Sequence, residues 1–302
     1  MRFTWTYQGS VPRKLRRVLK SFGVTTSLIK VAIFHGGRLL LNGQTAWAIA
    51  NVQPGDEVGI EVPNEAANDA VTPCELPFEI AYEDRDFLVI NKAAGVATVP
   101  AHNVAVQDSL VNRVKAYYQR QGYENQVTHV ATRLDRDTSG LVIFPKHRFA
   151  HAVLDRQLKA HQVFKQYEAL VGGTVAEHGY LDAPIQRDPA SFVKRMIGPD
   201  GKAAVTEYWR LATVVGASRV KIQLHTGRTH QIRAHFAWRG TPLFGDEMYG
   251  GDCQLLHRQA LHCQKIRFYS PFLAKTISLT APLPADLQAL QAQLGLTGDQ
   301  PK

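Results

Sequence analysis

Residues 133–144 read RLDRDTSGLVIF, a polar loop that runs directly into an apolar strand. Asp, Thr and Ser side chains bond nearby backbone N–H groups, so the first half predicts a self-satisfied turn. Leu141 to Phe144 is an unbroken apolar run of strand length, which predicts a buried strand. Within the turn, Asp135 sits between Arg133 and Arg136. A carboxylate among guanidiniums stays ionised. An ionised carboxylate at a loop tip is either half of a salt bridge, the commoner case, or a reactive group. The string alone does not choose.

Two further strings carry chemistry. Residues 224–233, LHTGRTHQIR, are dense in donors and have Gly227 to turn on. They lack the GxxxxGK[ST] pattern of a phosphate-binding loop. His225, His230 and His235 are five apart. That spacing turns each about 140° from the last on a helix and alternates faces on a strand. Neither geometry gathers three ligands on one metal, so no metal site is expected. Donors beside an ionised carboxylate suit phosphate, base edges or the carboxylate itself. Residues 165–171, KQYEALV, predict a strand in which Tyr167 is core packing unless it faces Asp135.

The 302-residue chain is long enough for two domains, and 45% apolar residues can supply a core. Thirty-five Lys and Arg against 26 Asp and Glu give +9, which points to a polyanionic partner such as nucleic acid. Cys74, Cys253 and Cys263 cannot all pair and form no CxxC, so a reducing compartment and buried, inert thiols are expected. No apolar run approaches the roughly 18 residues that span a bilayer, and no secretory signal is visible; a cytoplasmic chain is expected, without membrane partners.

The basic excess is concentrated. Residues 1–55 hold eight basic groups and no acid. Leu15, Val18, Leu19 and Phe22 form one helical stripe, with Arg13, Lys14, Arg16, Arg17 and Lys20 on the remaining surface. Gly23 closes that helix, and Ser27 is a candidate cap for a second one through Lys30 and Phe34. Asn42-Gly43 predicts a hairpin turn, and Pro54-Gly55-Asp56 a turn into the strand Glu57 to Val62. We divide the chain into a basic domain (1–63), a linker (64–76), a mixed strand-and-helix domain (77–290) and a polar tail (291–302). The larger domain should hold strands at 87–91, 141–144, 167–171 and 220–224, and helices at 109–118 and 147–161.

The N-terminal order, with SLIKVAIFHGGRLLLNG at 27–43 and QPGDEV at 53–58, resembles the S4 RNA-binding module over residues 10–62. The larger domain closely resembles the RluA-type pseudouridine synthases. The matching phrases are EDRDFLVINKAAG (83–95), RLDRDTSGLVIF (133–144), KQYEALVGG (165–173), IQRDP (185–189), HTGRTHQIRAHF (225–236), GDEMYGG (245–251) and LHCQKIRFYSP (261–271). Seven phrases in the family's order are specific. The resemblance implies an α+β fold, with a mixed, largely antiparallel sheet in the catalytic domain and a small α/β S4-like domain before it.

It also implies isomerisation of uridine to pseudouridine in structured RNA, ribosomal or transfer, without cofactor or metal. The essential aspartate lands on Asp135. The tyrosine that packs against uracil, and is a candidate base, lands on Tyr167. The arginine that pairs with the aspartate lands on Arg233, and the one that displaces the target base on Arg133. Arg136, Arg228 and His230 are expected to join Arg133 on RNA, as are Arg13, Lys14, Arg16, Arg17, Lys20, Lys30 and Arg38 in the basic domain. Nothing demands a dimer, and a monomer is expected. Deleting residues 1–63 should weaken RNA binding and leave a folded catalytic domain.

Two positions depart from the family pattern: Thr132 where His is usual before RLD, and Ala93 where proline is usual. Two rival readings remain. A non-catalytic RNA-binding or ribosome-assembly protein on the same fold could lose Asp135, Tyr167 and Arg233 freely, yet all three are present. A carboxylate-dependent nucleoside hydrolase would want a second carboxylate, for which Glu168 and Asp246 are the candidates.

Overall fold

The computed structural model describes residues 1–100 and 108–298. Its N-terminal part contains β1 (Arg2–Thr6), β2 (Arg13–Lys14), α1 (Leu15–Ser21), α2 (Thr26–Phe34), β3 (Arg38–Leu41), β4 (Gln44–Thr45), β5 (Asn51–Val52) and β6 (Glu57–Glu61). Four of these strands form an antiparallel sheet in the order β1-β6-β3-β4. Leu15, Val18 and Leu19 are buried as the stripe predicts, and Phe22 stacks on Trp5 at 5.1 Å. Asn42 and Gly43 both take left-handed φ, the hairpin geometry their sequence favours. The cap of α2 is Thr25, whose hydroxyl accepts from the Leu28 N–H at 3.2 Å. Ser27 lies inside the helix, where a capping oxygen can no longer reach the free N–H groups ahead of it.

The larger part runs β7 (Glu79–Glu83), β8 (Phe87–Lys92), α3 (Leu110–Arg120), β9 (Ser139–Pro145), α4 (Arg148–Lys159), β10 (Phe164–Gly172), β11 (His178–Asp182), β12 (Ile185–Arg187), β13 (Arg195–Ile197), β14 (Val205–Val214), β15 (Ala217–Leu224), α5 (Gln231–Trp238), β16 (Leu261–Ser270), β17 (Lys275–Thr280) and α6 (Ala285–Gln293). Nine strands form one sheet, ordered β11-β14-β15-β10-β16-β9-β8-β7, with β17 also on β16. Its pairings are antiparallel except β9 with β16. The fold is α+β with a mixed, largely antiparallel sheet, as the sequence implied.

β8 and β9 are buried on both faces, which is why FLVI and LVIF show no alternation. Phe87, Val89, Leu141 and Ile143 enter one core. Leu88, Ile90, Val142 and Phe144 enter another, under Leu110, Val114 and Tyr118 of α3. Gly140 has φ +115°, and a Cβ there would lie 2.3 Å from the Cys263 carbonyl oxygen. Only glycine allows that approach, and it anchors the strand a few residues beyond Asp135.

The two parts share a core. Phe149 and Val153 of α4 are buried among Phe3, Leu15, Val18 and Val24. Phe149 meets Phe3 and Phe272 edge-on, each at 5.0 Å. A catalytic domain cut at residue 63 would expose these rings, so the expectation that it folds unaided is revised. Sequence patterning could not reveal this, because Phe149 and Val153 read simply as apolar positions of a helix.

Residues 64–76 contain no helix or strand, and they are tied down along their length. The Lys115 ammonium donates to the Asn68 and Val71 carbonyls at 2.8 and 2.7 Å, and Asn112 Nδ2 to the Thr72 carbonyl at 2.6 Å. Glu65 is buried, 3.0 Å from His129 Nε2, and accepts from the Arg148 N–H at 2.9 Å. Burial opposes its charge, but His129 and Arg148 outweigh that and lower its pKa from 4.5 to about 2. The folded-state value lies below the unfolded one. Its stabilisation is therefore complete above pH 4.5 and is lost as pH falls towards 2. Glu65→Gln should cost about 3 kcal/mol at pH 7 and much less near pH 2, read by denaturant unfolding at both. An equal loss at both pH values would refute the charge-based account.

Leu296 is fully buried with Leu287 and Leu290, and its carbonyl accepts from Gln291 Nε2 at 2.9 Å, so order extends past residue 290. Cys263 is buried as expected, whereas Cys74 and Cys253 are only half-buried.

Candidate active site

The loop before β9, the turn between β15 and α5, and one face of β10 enclose a cleft of about 1130 Å³. Asp135, Tyr167 and Arg233, separated by up to 98 residues, all line it. The loop is fixed from behind. Leu134 exchanges hydrogen bonds with the Thr98 hydroxyl at 2.8 and 3.1 Å. The Lys92 ammonium donates to the carbonyls of Ala93, Val96 and Arg136 at 2.7–2.9 Å. Burial lowers the Lys92 pKa to about 7. Gln259 Nε2 donates to the Thr138 hydroxyl at 3.0 Å, and Ser139 Oγ lies 2.9 Å from His262 Nδ1. Thr138, Ser139 and Gly140 are therefore buried framework, which leaves Asp135 half-exposed at the tip.

The arginines flanking Asp135 are not its partners. Arg136 turns to Asp137, bonding it at 3.0 Å, and Arg133 is exposed on the cleft rim. Arg233 from α5 fills the role, its Nη1 donating to Asp135 Oδ2 at 3.1 Å. The same guanidinium makes a two-pronged bond to Asp246 at 2.7 and 2.8 Å. Burial works against its charge, and Asp246 and then Asp135 more than offset this, raising its pKa. Two acceptors hold the guanidinium in one plane, so the direction of the Asp135 carboxylate is set by a rigid fork. Asp246, a candidate second carboxylate for a nucleoside hydrolase, does not serve as one. It is buried and committed to Arg233. Glu168, the other candidate, bonds Gln264 at 3.2 Å and lies 3.5 Å from Arg219. It alternates with Tyr167 along β10 and so points to the opposite face.

The turn that presents Arg233 depends on Gln231. Its amide oxygen accepts from the Thr226 hydroxyl and the Arg228 N–H at 2.8 and 2.9 Å, and its NH2 donates to the Val205 carbonyl and Thr206 hydroxyl, both at 3.0 Å. His230, at φ 55°, precedes the helix, with Nε2 3.8 Å from Asp135 Oδ2 and Nδ1 3.1 Å from the Tyr249 hydroxyl. Burial lowers its pKa, Asp135 notwithstanding. The three histidines go to separate partners: His225 to Glu207 at 2.8 Å, and His235 to Thr206 at 2.9 Å.

Tyr167 is 5% exposed and faces the cleft. Burial, then Cys263 and Asp135, push its pKa well above the usual value. The phenol stays protonated at neutral pH, which suits a wall or a donor better than a base. Arg228 lines the rim and donates to the Ala203 carbonyl at 2.9 Å. Thr132, at the departure from the family pattern, is buried and accepts from the Ile143 N–H at 2.9 Å. In the N-terminal part, Arg13, Lys14, Arg16, Arg17, Lys20 and Lys30 are exposed, while Arg38 pairs with Glu61. Sequence reasoning did not single out Gln231, which shapes the turn, or Tyr249, whose hydroxyl meets His230. Gln231 and Tyr249 both lay in quoted phrases, LHTGRTHQIR and GDEMYGG, but carried no signal of their own role.

A family model described as RNA pseudouridylate synthase matches residues 86–238. The "uncharacterized RNA pseudouridine synthase YjbO" of Bacillus subtilis is 38% identical over 269 residues, covering 89% of this chain and 94% of that protein. The ribosomal large subunit pseudouridine synthase D of Xanthomonas campestris is 34% identical over 278 residues, covering 85% and 81%. The solved structure titled human RNA pseudouridylate synthase domain containing 4 shares the fold, with a TM-score of 0.61 at 21% identity over 74% of this chain and 95% of that one. A cleft that brings the three motif residues together, and relatives aligned over most of their length, lead to one conclusion: this chain belongs to the RNA pseudouridylate synthase family.

Proposed function

We propose that this chain converts specific uridines of structured RNA to pseudouridine, with Asp135 as the reacting carboxylate. The observation that carries the reading is the Asp135 carboxylate, 27% exposed at the cleft and held by Arg233 at 3.1 Å. The reaction breaks N1–C1′, turns the uracil and joins C5 to C1′; a proton leaves C5 and one arrives at N1. An ionised, directed carboxylate serves each route in which it adds to C1′, adds to C6 or takes the C2′ proton. Arg233 orients that carboxylate in a confined site, where proximity offsets its modest nucleophilicity. Tyr167 supplies an aromatic wall for the detached base.

The target base must leave its stack, at a cost of a few kcal/mol. Phosphate contacts offset this, and six exposed cations of the N-terminal part are suited to make them. This supports an S4-like RNA-binding role for residues 1–63 on the same chain. Replacing Arg13, Arg16, Arg17 and Lys20 by Ala in the intact protein should reduce the slope of log K against log salt by about 3. An unchanged slope would remove the basic block from the interface.

The name of the Xanthomonas relative makes large-subunit ribosomal RNA the first substrate to examine. Mapping pseudouridine across cellular RNA with and without the protein tests the function. At least one site should disappear with the protein and return with it. If no site changes, the reading fails.

A further inference from the structure

Lys165 enters the cleft from β10, two residues before Tyr167 and therefore on the same strand face. Apart from the exposed Arg133, the Lys and Arg side chains of the cleft wall other than Lys165 are occupied. Arg233 is held by Asp246 and Asp135, Arg136 by Asp137, and Lys159 by Asp155, while Arg228 donates to the Ala203 carbonyl. Arg133 is exposed at the rim. Lys165 is half-buried, and its ammonium has no hydrogen-bond or ion-pair partner among the described residues. Its Nζ lies under the 225–230 turn, 3.9 Å from where a Cβ on Gly227 would sit. The buried Cys263 is its neighbour. A shielded ammonium without an acceptor is costly unless a ligand supplies one.

We propose that the Lys165 ammonium is a catalytic group that donates a hydrogen bond to a carbonyl oxygen of the target uracil and stabilises negative charge on that ring. The inference rests on the isomerase reading above. When N1–C1′ breaks, its electron pair stays with uracil and spreads from N1 to O2. Addition of Asp135 to C6 instead sends electrons to O4. Each route therefore places charge on a ring oxygen, and the Lys165 proton remains on Nζ throughout. The C5–C1′ bond then consumes the pair, and N1 takes a proton as C5 loses one. Charge stabilisation by one fixed donor in a confined site is worth about 10²–10³-fold in rate. Burial lowers the Lys165 pKa, which makes it a stronger donor to such an oxygen.

The test uses the full-length protein and total RNA from cells that lack it, with pseudouridine read at the sites the wild type restores. Lys165→Met should slow single-turnover conversion by about 10²-fold while RNA affinity stays within about threefold. Its Tm should hold or rise, because an unpartnered shielded cation has been removed. Lys165→Arg should recover part of the rate. Conversion by Lys165→Met at the wild-type rate overturns the proposal. So does a fall in Tm and rate that Lys165→Arg restores together, since that marks a structural lysine. Asp135→Asn, run in parallel, separates the two claims: if it still converts uridine, the isomerase assignment fails, and the Lys165 role with it.

Discussion

Asp135→Asn should make no detectable pseudouridine, a loss of more than about a thousandfold, while RNA affinity changes by less than about tenfold. The amide matches the carboxylate in shape and can still accept from Arg233 Nη1. Arg233 itself does not come loose, because its paired bonds to Asp246 at 2.7 and 2.8 Å remain. The loop keeps its anchors at Lys92, Thr98 and Gln259. What disappears is the anionic oxygen that every version of the reaction requires. RNA binding draws on many phosphate contacts and should be little affected. Single-turnover conversion and filter binding on the same RNA separate these effects. Pseudouridine formed by the variant would reject Asp135 as the reacting group.

Removal of residues 1–63 should destabilise the rest of the chain by about 5 kcal/mol, comparable with the whole stability of an ordinary domain. Phe149 is fully buried and Val153 nearly so, and both lose the neighbours contributed by Phe3, Leu15, Val18 and Val24. Phe272 loses its contact with Phe3 at 5.5 Å. A fully buried aromatic side chain is worth roughly 1.5–3 kcal/mol, so two exposed rings and a valine account for the figure. The truncated chain should unfold at a much lower temperature than the full chain and be cleaved readily by protease. A cooperative transition at the parental Tm would mean that the shared core contributes little. The salt dependence of RNA binding is therefore better examined in the intact protein, through the four-residue Ala variant.

Much of the architecture was legible locally. The unbroken FLVI and LVIF runs announced strands covered on both sides, and the stripe of Leu15, Val18 and Leu19 announced α1. Asn42-Gly43 announced its hairpin. Each depends on periodicity or turn chemistry that a few adjacent residues carry themselves. Motif phrases likewise singled out Asp135, Tyr167 and Arg233. The sequence by itself thus determined which side chains are available and which segments are strand, helix or turn.

Tertiary structure decided which charge meets which. In the local string Asp135 stands between Arg133 and Arg136, and only the family resemblance pointed to Arg233; in space Arg233, 98 residues away and locked by Asp246, donates to it. It also decided that the half-buried Lys165 has no acceptor among the described residues, where Arg136, Lys159, Arg228 and Arg233 do, and that Phe149 closes a core between two parts of the chain. These are distances between segments remote in the chain, and no local pattern encodes them. Coulomb attraction and apolar burial act through space, and their partners are fixed only once the sheet has folded.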